Sequence, residues 1–245
     1  MLKVQERDTD ADWREIGATE PFWGVLTDPR FKSENLTAAN VESFYGSGVD
    51  HMAEIVDRLR RQTGAPPRGR ALDFGCGAGR LSEAMTAHAD HVVGYDISPG
   101  MLEKARLRHG AAHYTDVLPD GPFDWINSFI VFQHIPPERG APLMEALLDR
   151  LAPGGHVSLH VTVWRDAHLE PSRPPLLLRL RRAIAQARGR IKAASGLIMM
   201  YDYDLSSLVR SFQRHGVEEI NMVATNHGGH HGVIILGRRK PEGAT

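Results

Sequence analysis

The sequence predicts an α/β protein. A parallel β-sheet covered by helices forms the core, with a helical segment before it and an insertion near its end. Three observations carry that prediction. From Arg70 onward, short apolar strand-like runs alternate with helical runs, the rhythm of βαβ units. The strand-like runs are nearly continuous in apolar residues, as strands buried on both faces are. The first of them, Ala71-Leu72-Asp73-Phe74, leads into Gly75-Cys76-Gly77-Ala78-Gly79-Arg80 and then into the helix-forming Leu81-Ser82-Glu83-Ala84-Met85. Glycine has no Cβ, so a strand–loop–helix turn of this kind lets bare backbone approach a ligand.

The elements follow in order. Residues 1–65 read as a helical N-terminal segment on the substrate side. Trp13, Phe22, Trp23 and Phe31 fall close together there; such residues either wall a pocket or dock their segment onto the core. Ser43-Phe44-Tyr45-Gly46-Ser47-Gly48 reads as a flexible loop, with Ser47 or Asp50 capping a helix over Met52 to Leu59. Thr63-Gly64-Ala65-Pro66-Pro67-Arg68-Gly69 then opens the core, residues 66–163. Its further strands are His91 to Tyr95, ending at Asp96; Ala112 to Thr115, ending at Asp116; Phe123 to Ser128; and His156 to Val161. Ser98-Pro99 opens one intervening helix, since proline suits a first turn; Pro142 to Leu151 is another, broken by Pro153-Gly154-Gly155. Residues 164–203 interrupt the rhythm as a lid insertion. Residues 204–245 supply a helix over Leu205 to His215 and two strands, Glu219 to Thr225 and Val233 to Gly237. The short loop between those strands makes them an antiparallel hairpin.

Composition narrows the function. A chain of 245 residues with 42% hydrophobic and 24% charged residues is ordinary for a soluble globular protein. The net charge of −1 supplies no global field for nucleic acid, which is not expected as a partner. Cys76 is the single cysteine, so no intramolecular disulfide can form, as suits a reducing compartment. No apolar run reaches the ~18 residues of a spanning helix. Met1 to Asp8 lacks the apolar core of a signal peptide. A cytoplasmic protein is expected.

The chemistry points to a nucleoside. Asp73, Asp96 and Asp116 each end a predicted strand, and open parallel sheets bind ligands beyond the carboxyl ends of their strands. Asp96 follows Gly75 by 21 residues, which places a carboxylate where it accepts hydrogen bonds from a ribose diol and repels a 2′-phosphate. A dinucleotide loop requires G-x-G-x-x-G, whereas here the glycines are 75, 77 and 79 and position 80 is Arg. Asp73 is also misplaced beside a pyrophosphate but suits a cation such as an α-amino group. A nucleoside carrying an amino acid fits better than NAD, so a nicotinamide-dependent oxidoreductase is disfavoured.

The set Asp73-x-Gly75-x-Gly77-x-Gly79, Asp96, Asp116 and Phe123-Asp124-x-Ile126 resembles the class I S-adenosylmethionine-dependent methyltransferases. The likeness is strong over residues 44 to 163 and looser over the terminal hairpin. It implies a Rossmann-like, seven-stranded, mostly parallel sheet with helices on both faces. The last strand would be antiparallel and inserted beside the fifth. It implies S-adenosyl-L-methionine as cofactor and S-adenosyl-L-homocysteine as product. Gly75, Cys76 and Gly77 would pack on the methionine part, beside Asp73. Asp96 would hold the ribose hydroxyls, Ile97 and Met101 would flank the adenine, and Asp116 would meet the adenine amino group with Val117 beside it. The Phe44-Tyr45-x-Ser47-Gly48 segment would close over the cofactor, bringing Tyr45 to it. The stretch Ser128 to Pro136 would pass the methyl group.

The implied reaction is in-line displacement at the methyl carbon by a small-molecule acceptor. A hydroxyl acceptor of sugar, glycolipid or natural-product type is expected, because Asn127-Ser128-Phe129-Ile130 is not the proline-containing motif of common amine-modifying members. A protein that binds the cofactor without transfer is the non-enzymatic alternative. A hydroxyl needs a base at some stage. His134 either serves as that base or orients its loop, and His160 near the end of the fifth strand is the second catalytic candidate. His227, His230 and His231 in the hairpin read as a substrate contact, a metal site or a polar turn, and no metal is expected. Within the insertion, residues 176–192 form a basic amphipathic helix. It meets an anionic substrate or membrane surface, or docks by its leucines with a solvated basic face. Nothing in the sequence sets the oligomeric state.

Overall fold

The structure, a computed structural model, describes residues 8–169 and 198–243. Seven strands form one sheet in the order β3-β2-β1-β4-β5-β7-β6. They are β1 (Arg70–Phe74), β2 (His91–Tyr95), β3 (His113–Thr115), β4 (Phe123–Ser128), β5 (Leu151–Arg165), β6 (Val217–His227) and β7 (His230–Arg239). β1 to β5 are parallel, and β7 runs antiparallel to both β5 and β6. This is the expected Rossmann-like sheet with its reversed last strand beside the fifth.

Seven helices surround it among the described residues: α1 (Thr9–Thr19), α2 (Pro21–Val25), α3 (Ala38–Thr63), α4 (Arg80–Met85), α5 (Pro99–Leu107), α6 (Pro137–Asp149) and α7 (Leu205–Arg214). Alternation along each strand divides the core between the two faces. Leu72, Phe123, Ile126 and Leu159 pack with Met144, Leu147 and Phe212 on one face. Ala71, Trp125 and Leu236 pack with Met52, Ile55, Leu59, Leu81 and Met85 on the other.

Two expectations are corrected. Residues 43–48 are not a loop: they lie within α3, a helix of 26 residues capped by the Thr37 hydroxyl, which accepts from Asn40 N–H. Phe44 and Tyr45 are buried there against Phe22 and Phe31, so apolar packing overrides the weak helix propensity of Gly46 and Gly48. Gly48 has its own reason to be glycine, because a Cβ would lie 2.3 Å from the Arg80 carbonyl oxygen. The hairpin loop is also shorter than expected. Only Gly228 and Gly229 turn, with φ of 63° and 91°, the two positive φ angles that a tight hairpin turn needs. His227, His230 and His231 are therefore strand residues with fixed directions.

The basic stretch 176–192 lies outside the described residues. No described helix is long and apolar enough to cross a membrane.

Candidate functional site

A cavity of about 230 Å³ opens beyond the carboxyl ends of β1, β2 and β4. Its floor is the glycine loop. Gly75 and Gly77 have φ of 75° and 53°. A Cβ on Gly75 would lie 2.3 Å from Val131 Cγ2, and one on Gly77 2.7 Å from Val25 Cγ2. The loop is thus glycine both for its left-handed backbone and for the close approach of Val131 and Val25. Gly75 N–H and Cys76 N–H donate to the Tyr95 carbonyl, which ties the loop to the end of β2.

Asp73 is 2% exposed at the cavity wall. Its two oxygens accept from Ser82 Oγ at 2.6 Å and Asn127 Nδ2 at 2.9 Å. The relay continues: Trp125 Nε1 donates to Ser158 Oγ, and Ser158 Oγ donates to Asn127 Oδ1. Burial raises the Asp73 carboxyl pKa, and these hydrogen bonds oppose that shift. Asp73 therefore ties α4 to β4 through neutral partners. Asp96 accepts from Gly77 N–H at 2.9 Å and Ser98 N–H at 2.8 Å. Burial pushes its pKa up to about 6, against those two backbone hydrogen bonds. Each carboxylate oxygen keeps a further lone pair for a ligand.

Of the sequence-predicted residues, Asp73, Gly75, Cys76, Gly77, Asp96, Ile97, Met101 and His134 line the cavity. The others do not. Asp116 and Val117 are exposed beyond the three-residue β3, outside the lining. Tyr45 is buried behind the loop, its hydroxyl donating to the Ala78 carbonyl. Ser128 is buried at the end of β4 without a partner for Oγ among the described residues. His160 is fully buried on β5, with Nε2 2.9 Å from Thr225 Oγ1.

His134 has both ring nitrogens engaged. Nδ1 is 2.8 Å from the Met199 carbonyl, which can only accept, so Nδ1 carries the hydrogen. Nε2 then accepts from Gln133 Nε2 at 3.2 Å, and Gln133 Oε1 accepts from Thr162 Oγ1. Burial pushes the imidazole pKa down to about 4. The three hairpin histidines diverge. His227 touches the His160 ring, whereas His231 stacks on Trp164 at 3.7 Å and meets Asp166 Oδ1 at 3.0 Å. Among the described residues no three His, Cys, Asp or Glu side chains converge as a metal site.

Sequence reasoning offered Trp13 as a pocket wall but missed the rest of the roof. Thr9, Asp10 and Trp13 of α1 line the cavity, as do Val25, Val131 and Arg139. α1 is seated closely on α5: a Cβ on Gly17 would lie 2.0 Å from Ser98 Oγ. Trp13 reaches the His134 ring at 4.8 Å, and Asp10 pairs with Arg139 at 2.8 Å. Of the N-terminal aromatics, Trp13 walls the pocket while Phe22 and Phe31 dock the segment onto Phe44. The Trp13–His134 and Asp10–Arg139 contacts join residues more than a hundred positions apart, so no local spacing marks them.

The sheet with its reversed last strand, the glycine cradle and the strand-end carboxylate together define a class I S-adenosylmethionine-dependent methyltransferase. The tight positive-φ turn of Gly75 and Gly77 at the cavity lining and the spare lone pairs of Asp96 fit that cofactor. The chain belongs to the methyltransferase-domain family, whose profile matches residues 48–220. A ubiquinone biosynthesis O-methyltransferase of Xylella fastidiosa (strain 9a5c) is 34% identical over 100 residues, covering 36% of this chain and 39% of that protein. A trans-aconitate 2-methyltransferase of Methylobacterium nodulans is 34% identical over 155 residues, 57% of each chain. The match thus spans less than two thirds of the length of these curated relatives. The fold is shared with magnesium protoporphyrin IX methyltransferase from Synechocystis PCC 6803, crystallised with S-adenosylmethionine. The TM-score is 0.61 at 17% identity, over 96% of this chain and 99% of that one.

Proposed function

We propose that the protein transfers the methyl group of S-adenosylmethionine to a hydroxyl oxygen of a small molecule. The observation that carries this reading is the Asp96 carboxylate, facing the cavity beside the positive-φ turn at Gly77. When bound, S-adenosylmethionine supplies an electrophilic methyl group on its sulfonium. Asp96 would accept the ribose hydroxyls, Gly75 to Gly77 would admit the methionine part, and Ile97 and Met101 would flank the adenine. Asp116 and Val117 would meet the adenine edge only at the rim. Tyr45 and Ser128 would act from behind the lining, and Asp73 would hold α4 to β4 rather than pair with the ligand.

His134 would orient its loop and the cavity wall. Its engaged nitrogens and low pKa leave it little capacity to take a proton. Much of the rate then comes from holding the acceptor oxygen in line. An oxygen acceptor is also what the name of one curated relative supports, the ubiquinone biosynthesis O-methyltransferase.

Transfer of labelled methyl from S-adenosylmethionine to a hydroxyl library, read by mass spectrometry, tests the proposal. O-methylated products with stoichiometric S-adenosylhomocysteine are expected. Binding of S-adenosylhomocysteine without transfer to any oxygen would leave only cofactor binding.

A further inference from the structure

Beside the glycine loop, on the α3 side of the sheet, buried polar atoms without partners collect in one row. Arg80 is 6% exposed and lines the cavity, yet no carboxylate lies within ion-pair distance of it among the described residues. Its Nη1 has only a 3.4 Å contact to Ser47 Oγ, and its Nε has no partner. Asp73, the acid that acts on it, is committed to Ser82 and Asn127. One turn along α3 from Ser47 stands His51, whose Nε2 is buried and unpartnered. The His51 ring packs on Phe129 at 4.1 Å, and Phe129, itself in the cavity lining, touches His160 at 5.0 Å and His227 at 6.0 Å. His160 is fully buried, and its Nδ1 again lacks a partner.

Three elements, α4, α3 and β5, thus contribute a cation without an ion-pair partner and two unsatisfied imidazole nitrogens, the two imidazoles packed on the Phe129 ring. A buried guanidinium without an anion is costly, and unpaired buried nitrogens add to that cost. A ligand with oxygen acceptors and a negative charge relieves the first of these.

We propose that Arg80 and Phe129, where this row reaches the cavity lining, form the recognition site for the acceptor, with His51 and His160 packed behind Phe129. It takes a small hydroxy acid whose carboxylate meets Arg80. The proposal rests on the reading of the protein as an oxygen-directed methyltransferase and names the acceptor class. A cationic amine is disfavoured, because the charged group of the row at the cavity is the Arg80 guanidinium. Burial drives the pKa of His51 down to about 4 and that of His160 to about 3. They stay neutral near pH 7 and leave the charge to Arg80.

The test is calorimetry on the full-length protein saturated with S-adenosylhomocysteine. The probes are 4-hydroxybenzoate and 3-hydroxybutyrate, against 4-hydroxybenzamide and tyramine. At least one acid should bind, with the amide and the amine much weaker. Arg80→Gln should weaken acid binding about 10- to 100-fold, the scale of one hydrogen bond to a charged group. S-adenosylhomocysteine affinity should change little. Equal binding of acid, amide and amine, or no acid binding, overturns the proposal without help from any variant. So does a loss in Arg80→Gln that falls on S-adenosylhomocysteine but spares 5′-methylthioadenosine, which lacks the amino-acid carboxylate; Arg80 would then serve the cofactor. Binding of S-adenosylhomocysteine to the unmodified protein reports on the methyltransferase reading separately.

Discussion

The two ends of the cavity are built on different plans. The glycine-loop end is local: β1, the loop, α4, β2 and Asp96 all come from residues 70–96, with hydrogen bonds running within that stretch. The far end is lined by α1 and the segment after β4, far apart in sequence, and α3, β5 and β6 back it through Phe129. The local end is fixed by backbone geometry and carboxylates. The assembled end is fixed by aromatic contacts and by histidines that burial keeps neutral. The difference separates what must stay constant, a nucleoside cofactor, from what sets the acceptor.

The largest effect should come from the local end. Asp96→Ala removes the carboxylate proposed to hold two ribose hydroxyls, and it releases Gly77 N–H and Ser98 N–H. At ~1.5–3 kcal/mol for each hydrogen bond to a charged group, S-adenosylhomocysteine affinity should fall about 100-fold or more. Calorimetry measures the loss, and a melting curve separates it from unfolding. Unchanged affinity would contradict the ribose role.

The assembled end should show itself in acid. His134 and His160 have folded pKa values of about 4 and about 3, against 6.5 in the unfolded chain. Below pH 6.5 the unfolded chain takes up protons that the folded one refuses, so stability falls as pH drops from 6.5 toward 4. Each contributes up to ~1.4 kcal/mol per pH unit in that window. His51 and His156, both lowered to about 4, act with the same sign. Asp96 acts oppositely: with its pKa raised from 3.8 to about 6, the folded state binds that proton first and gains stability as pH falls between those values. The histidines outnumber it, and a net loss of denaturant stability from pH 7 to 5 is expected. Replacing His134 by Asn should flatten the profile by roughly one proton's slope.

The contrast also explains what was legible in the sequence. Seven strands could be anticipated because apolar runs and glycine punctuation are local signals; the place of the reversed last strand beside the fifth followed from the family resemblance. Asp73, Gly75, Gly77 and Asp96 could be named because their spacing within one βαβ unit is itself the signal. The α3 helix was cut short in the reading because Gly46 and Gly48 resemble a loop; their helical state is decided by Phe44 packing on Phe22 and Phe31. Trp13, Asp10 and Arg80 carry no pattern of their own. Their places depend on where α1 lands and on which charges find no partner.

A smaller effect tests whether the loop glycines are needed for space as well as for turning. Gly77→Ala puts a Cβ on a residue with φ of 53° and 2.7 Å from Val25 Cγ2. The backbone cost is ~1–2 kcal/mol. S-adenosylhomocysteine affinity should fall about tenfold as α2 is pushed outward.

The smallest effect probes the roof that joins the two ends. α1 is held over the cavity by Gly17 against α5, by Trp13 on His134 and by the Asp10–Arg139 pair. The pair has side chains 29% and 43% exposed, so solvent screens it, and such pairs contribute ~0.2–1 kcal/mol. Asp10→Asn should therefore weaken S-adenosylhomocysteine binding by no more than about fivefold. Raising the salt concentration should weaken the parent protein and leave the variant nearly unmoved. Trp13→Ala, which removes cavity wall as well as a helix anchor, should cost more than Asp10→Asn and show no salt dependence of its own. If the two substitutions are equal, the roof is held by charge rather than by packing, and the assembled end shares the plan of the local one.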